Sequence, residues 1–152
     1  MSNIKPQIHT DKKMGLKYKE ITDIILKSFY EVYNELGDGF LESVYENALY
    51  IVLTGYGLSV ERQRDISVFF RGNVIGDFKA DLIVAGNVII ELKAIRALDA
   101  AHEAQIINYL KATNIEVGLL LNFGRKPEFK RFIFNNKRIN NINQYESVKI
   151  SG

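Results

Sequence analysis

An α/β domain with a mixed central sheet flanked by helices is predicted by three observations. Apolar residues recur at three- and four-residue spacing near both ends of residues 16–113, and β-rich segments fill the stretch between them. Gly- and Asn-containing triplets punctuate the β-rich stretch at turn-like intervals. Leu82-Ile83-Val84 and Val88-Ile89-Ile90 are apolar at consecutive positions, as expected of central strands covered on both faces.

The elements follow in order. Ile21, Ile24, Ile25, Phe29, Val32 and Leu36 give an amphipathic helix over about 16–36, ended by Gly37-Asp38-Gly39. Leu41, Val44, Tyr45, Leu49 and Val52 repeat the pattern over about 40–54, and Gly55 and Gly57 supply the stop. Strands are expected at about 58–62, 65–71, 74–84 and 88–94, an antiparallel meander. Its turns are Arg71-Gly72-Asn73 and Ala85-Gly86-Asn87, where Gly and Asn tolerate positive φ. Ala101, Ala104, Ile107 and Leu110 mark a helix over about 99–113. A strand at about 116–122, the turn Phe123 to Pro127 and a strand at about 129–134 complete the order helix, helix, meander, helix, strand, strand. Residues 1–14 are polar and read as a flexible arm, leaving 15–152 as one domain.

Composition agrees with one globular domain: 152 residues, 47% apolar and 25% charged, long enough to bury roughly two-thirds of the unfolded chain's surface. The formal net charge of +2 is not that of a polyelectrolyte, so any nucleic-acid site must be a local patch. The charge is uneven, however. Residues 123–152 carry seven basic side chains (Arg125, Lys126, Lys130, Arg131, Lys137, Arg138, Lys149) against two acidic ones, and there a polyanion would be attracted. Zero cysteines exclude a disulfide framework, a thiolate zinc site and a cysteine nucleophile. No run resembles a secretory signal or approaches the ~18–20 apolar residues of a membrane span, so a cytoplasmic location without a membrane partner is expected.

Three charged residues interrupt the apolar hairpin 78–94: Asp81, Glu91 and Lys93. Buried without partners they would cost several kcal/mol each, so they need a partner, a metal or an exposed strand end. If Ala85-Gly86-Asn87 is a three-residue loop, Val84 faces Val88 and the pairing runs down to Asp81 opposite Glu91. Both carboxylates then share a face, with Cβ atoms ~4.5–5.5 Å apart, and Lys93 joins them two residues on. If only Gly86-Asn87 turn, Asp81 points away. Like charges directly opposite in a sheet are destabilising unless something cationic sits between them. Mg²⁺, a hard ion taking a few carboxylates plus waters and phosphate oxygens, suits that place, and Mn²⁺ can replace it. A purely structural alternative pairs Glu91 with Lys93 or Lys79 across a wet strand end.

Asp81 followed by Glu91-Leu92-Lys93 resembles the Asp…Glu-x-Lys core of the PD-(D/E)XK nuclease superfamily. Gly39 to Tyr45 resembles the Gly-x-x-Glu-x-x-Tyr motif that names the GxxExxY family within it. His102 to Leu110 is similar to that family's His-x-x-Gln-x-x-Asn-Tyr-Leu helix, and Leu121-Asn122-Phe123-Gly124 to its late Asn-Phe-Gly. Together the matches span about 20–135, with Ala80 where the superfamily usually has proline.

The resemblance implies a restriction-endonuclease-like sheet and a metal-dependent nuclease hydrolysing phosphodiester bonds, DNA being the superfamily's usual substrate. It implies that Glu42, Asp81, Glu91 and the backbone carbonyl of Leu92 hold Mg²⁺, that Lys93 positions the attacking water, and that Gln105 and Tyr109 line the site. Lys79 is placed to touch phosphate, and Arg125, Lys126, Lys130 and Arg131 to hold flanking backbone without reading sequence. His102 has the pKa range of an acid or base, though a lone helical histidine is more often structural. A homodimer or a partner protein is expected, since a domain of this size has limited surface for grasping a duplex. The competing reading is a catalytically inactive nucleic-acid-binding or protein-assembly module on the same fold.

Overall fold

The computed structural model describes residues 10–134, with side chains from residue 18 onward. Helix α1 (Thr10–Leu36) leads into α2 (Glu42–Gly55), then strands β1 (Val60–Phe70), β2 (Asn73–Val84) and β3 (Val88–Lys93), helix α3 (Ala100–Lys111), and strands β4 (Val117–Phe123) and β5 (Pro127–Ile133). The order is the expected one. Helix α1 begins earlier than its apolar spacing suggests, inside the stretch expected as an arm, while residues 1–9 of that arm lie outside the described residues. Among the described residues no helix is long and apolar enough to cross a membrane.

The five strands form one mixed sheet in the order β1-β2-β3-β4-β5, with β3 and β4 parallel and the other neighbours antiparallel. The parallel pair requires a crossover, which α3 supplies. Where two strands were expected at 58–62 and 65–71, a single β1 runs through the polar stretch, kinked at Gln63 by a left-handed backbone (φ 49°). Propensity gives no warning of this, because continuity comes from pairing with β2. At the turns the positive φ falls on Arg71 and Gly72, and on Ala85 and Gly86, rather than on the asparagines. The hairpin geometry dictates which positions turn left-handed, and Asn73 and Asn87 come after them.

Helices α1 and α2 cover one face. Ile21, Ile25, Phe29 and Val32 of α1 and Tyr45, Leu49 and Leu53 of α2 pack on Leu82, Val84, Val88, Ile90, Leu92, Val117, Leu119, Leu121 and Phe123. Helix α3 covers the other with Ile106, Tyr109 and Leu110 against Ile66, Ala80, Ile83, Ile89 and Leu120. It lies tight on β4, because a Cβ at Gly118 would meet the Ile106 side chain at 2.9 Å. The aliphatic runs in β2, β3 and β4 thus supply both layers, odd and even positions parting to opposite sides.

A carboxylate pair between two strands

The β2–β3 register decides where Asp81 points. Val84 pairs with Val88, Ile83 with Ile89 and Leu82 with Ile90, which makes Ala85-Gly86-Asn87 a three-residue loop and sets Asp81 opposite Glu91. The regular ladder ends there, and the two side chains take over its hydrogen bonds. The Asp81 N–H donates to Glu91 Oε2 at 3.0 Å, and the Leu92 N–H donates to Asp81 Oδ2 at 2.8 Å. Strand alternation breaks at the same place: Ala80 and Ile83 both pack in the α3 layer although three residues apart. Two opposed acids have pried the strands open and satisfied the freed backbone groups themselves.

Electrostatics strain the pair. Burial, then the charge of Asp81, pushes the Glu91 carboxyl up to about 8 from an ordinary 4.5, with Lys93 pulling the other way. Asp81 is likewise raised, by burial and by the charges of Glu46 and Glu42, against the Leu92 and Gln63 hydrogen bonds. Glu91 is only 3% exposed. Lys93 follows on the same strand, with Glu91 on the parity that faces α3. From α3, Gln105 Nε2 donates to Tyr109 Oη at 2.9 Å, and the phenol is raised by burial and by the charges of Glu91 and Asp81. Asp81, Glu91, Lys93, Gln105 and Tyr109 are therefore brought to one neighbourhood.

The other expected residues disperse. Glu42 is exposed at the first position of α2 and reaches the pair only through its field. Among the described residues no three His, Cys, Asp or Glu side chains gather as a metal cage. Leu92 lends its N–H to Asp81 while its side chain packs under α1 and α2. Lys79 pairs with Asp65 across β1 and β2, at 2.5 Å, and Lys130 pairs with Glu103 of α3. Arg125, Lys126 and Arg131 are exposed at and beyond the β4–β5 turn. Lys137, Arg138 and Lys149 lie outside the described residues. His102 caps α3: its Nδ1 accepts the Asp99 N–H at 3.1 Å, while Asp99 Oδ1 accepts the His102 N–H.

Three further residues were not assigned from sequence. Glu46, only 8% exposed, sits one turn after Glu42 on α2. Its Oε1 accepts from Gln63 Nε2 at 2.7 Å and its Oε2 from Arg62 Nε at 3.2 Å. Gln63 also donates to Asp81 Oδ1 at 3.3 Å, so its amide bridges a buried acid to the pair. Nothing in Glu-Arg-Gln-Arg-Asp singles out the glutamine. Asn122 clamps the loop after β3, its Oδ1 accepting the Ile95 N–H and its Nδ2 donating to the Ile95 carbonyl, both at 3.0 Å. Gly124 completes that clamp, since a Cβ there would lie 2.3 Å from the same carbonyl oxygen.

Tyr45 and Phe123, distant in sequence, stack at 4.2 Å, and the Tyr45 hydroxyl donates to the Gly37 carbonyl at 2.6 Å. The two aromatic residues are thus built into the scaffold rather than turned toward the acids.

The sequence profile of the PD-(D/E)XK nuclease superfamily matches residues 19–132. The chain belongs to the PD-(D/E)XK nuclease superfamily. Its mixed sheet flanked by helices is the restriction-endonuclease-like fold of that superfamily. Among solved structures the chain is similar to SSO0001, at 19% identity and a TM-score of 0.49 over 67% of this chain and 55% of that one. It is also similar to the alkaline exonuclease LHK-Exo of Laribacter hongkongensis, at 14% identity and a TM-score of 0.39 over 72% of this chain and 63% of that one. The chain spans less than two thirds of the length of either. No curated protein matches it.

Proposed function

We propose that this PD-(D/E)XK domain, a cytoplasmic member of its GxxExxY family, is a Mg²⁺-dependent nuclease that hydrolyses phosphodiester bonds of DNA. The observation that carries the reading is the pair of opposed carboxylates, Asp81 and Glu91, held at the point where β2 and β3 part, with Lys93 beside them. Burial first, and then the charges of neighbouring acids, push both carboxyls up, so ionising the pair is costly without a cation. A hard divalent ion relieves that cost by taking two carboxylates and filling its other positions with waters and phosphate oxygens, so the donor set fits Mg²⁺, with Mn²⁺ as a substitute. When bound, the ion supplies charge neutralisation at the scissile phosphate and lowers the pKa of water.

The protein's own groups do the rest. Asp81 and Glu91 are fixed by the backbone N–H groups of Leu92 and Asp81, so their free oxygens need little reordering. Lys93 places a positive charge where negative charge grows on the phosphorus oxygens, and orients the attacking water. Tyr109, held by Gln105, presents a hydroxyl beside the acids for substrate orientation. Arg125, Lys126 and Arg131 are the exposed cations left to grip flanking phosphates, in a homodimer or with a partner protein, since Lys79 and Lys130 are engaged with Asp65 and Glu103.

The test is cleavage of single- and double-stranded DNA by purified protein in Mg²⁺, Mn²⁺ or EDTA, comparing wild type with Asp81→Asn and Lys93→Ala. Metal-dependent cutting lost in both variants supports the proposal. Equal cutting by all three proteins exposes a contaminant, and DNA binding without cutting replaces the nuclease by a binding module.

A further inference from the structure

The β1–β2 ribbon continues well past the core. Ile66 and Phe78, paired across the two strands, are the last of its apolar residues in the α3 layer. Beyond them Phe69 is 64% exposed, Phe70 53%, Val74 52% and Ile75 64%. None of the four belongs to either core layer. A register shift after Val68 leaves Ile75 without a partner on β1, and the turn at Arg71-Gly72 closes the ribbon. Arg71 is the sole charged residue between Ile66 and Gly76, and its guanidinium lies 4.9 Å from the centre of the Phe70 ring.

An exposed tip of this composition is costly in water and calls for an occupant. Its single charge is positive and already stacked on an aromatic face, which leaves the guanidinium edge open toward an anion. A two-fold contact between tips of two copies would bring two Arg71 groups together, the nearest acid of the ribbon, Asp77, lying behind Gly76 where it accepts a hydrogen bond from the Ser67 hydroxyl. An anion that also offers flat apolar faces meets both demands, and unstacked nucleic-acid bases on their phosphate backbone are such a ligand.

We propose that this tip is a second contact for nucleic acid, in which Phe69 and Phe70, on opposite faces of the ribbon, each offer a ring to bases of a single strand passing over its end while Arg71 meets the adjoining phosphate. The proposal rests on the nuclease reading and adds a substrate class to it: single-stranded DNA, or a duplex end frayed into single strands. The ribbon sets the distance. From Asp81 to Asn73 is eight residues along β2, about 26 Å at ~3.3 Å per residue. At the ~3.4 Å rise per nucleotide of a stacked strand that is roughly eight nucleotides, and fewer for an extended one.

The test measures binding of fluorescent single strands of 4 to about 20 nucleotides, some carrying 2-aminopurine, in EDTA so that nothing is cut. Wild type is compared with Phe69→Ser/Phe70→Ser and with Arg71→Ala. Base–aromatic stacking is worth ~1–3 kcal/mol per base, so the double variant is expected to lose about tenfold or more in affinity for long strands. It should lose the 2-aminopurine signal as well, and bind the shortest strands like wild type. Unchanged affinity and signal, in a variant of unchanged melting temperature, overturns the proposal while leaving the nuclease reading intact. A dimeric wild type that becomes monomeric in the double variant with DNA affinity unchanged also overturns it, in favour of self-association. If wild type neither binds nor cuts DNA, the nuclease reading itself falls.

Discussion

Among the described residues, sixteen buried apolar side chains form a continuous layer from Ile21 to Phe123 on the face of the sheet covered by α1 and α2, whereas the face under α3 has eight. The larger layer packs ring on ring, Tyr45 stacked on Phe123 and Phe29 edge-on to it, and contains none of the opposed acids. The smaller one includes Tyr109, whose hydroxyl meets the Gln105 amide and feels the charge of Glu91. The difference shows how a domain of this size holds a charge cluster that costs stability: one face supplies the cohesion, and the other leaves the ends of β2 and β3 only partly covered. Leu82, adjacent to Asp81 in β2, is buried in the larger layer.

The largest effect expected from breaking it is on turnover. Glu91→Gln removes one carboxylate charge while keeping its shape, and metal-dependent cleavage should fall by about 10³-fold or more. Without metal its melting temperature should match that of wild type below about pH 4.5, where Glu91 is protonated folded or unfolded, and exceed it increasingly toward about pH 8, above which the buried carboxyl ionises. A variant that cuts at the wild-type rate would remove Glu91 from the chemistry. Leu82→Ala, one residue from Asp81 but wholly inside the larger apolar layer, should do the reverse. It is expected to cost about 2–5 kcal/mol in denaturant unfolding and to leave cleavage per folded molecule within a few-fold of wild type. Normal stability with abolished cleavage would show that the two faces are not separable.

The scaffold was legible in the sequence because its signals are periodic and local. Aliphatic spacing marks α1 and α2, and the runs 82–84 and 88–90 mark two-sided burial. The hairpin register stayed open between a loop of Ala85-Gly86-Asn87 and one of Gly86-Asn87 alone, and the structure takes the longer loop. Less of the site could be read. Glu42 has the motif position, yet Glu46 is the acid that α2 turns inward, a choice made by a helix rotation that spacing alone does not fix. Gln63 enters through a left-handed kink in an otherwise polar edge strand, where neither pattern nor propensity distinguishes it from Arg62 or Arg64. The cations offered as phosphate contacts divide by tertiary partner, since Lys79 and Lys130 find acids that are 14 and 27 residues away.

A change of pH should sharpen the same contrast. Glu91 has a higher pKa in the folded chain, about 8, than its ordinary 4.5. Between those values the folded state binds a proton that the unfolded state does not, so stability is fully present below about 4.5 and declines as pH rises toward 8. In EDTA the melting temperature should therefore drop over this window, and Glu91→Gln should flatten the drop. Added Mg²⁺ should restore part of the loss at the alkaline end, where both acids are ionised. A wild-type curve with no decline between pH 5 and about 8 would mean that burial does not hold the proton on Glu91.

The smallest expected effect concerns the amide that joins the faces. Gln63 links Glu46 of α2 to Asp81 by one donor group, and does so from a backbone conformation in which an L side chain is strained. Gln63→Gly removes the amide and relieves that strain, whereas Gln63→Ala removes the amide and retains it. Both should weaken binding of Mn²⁺, measured by calorimetry, by about fivefold, the worth of one hydrogen bond of roughly 1 kcal/mol to a group that must be held in place. Only the alanine variant should also unfold more readily. If the glycine variant binds Mn²⁺ as wild type does, the Asp81 carboxylate is positioned by the Leu92 N–H alone and the kink in β1 serves the strand rather than the site.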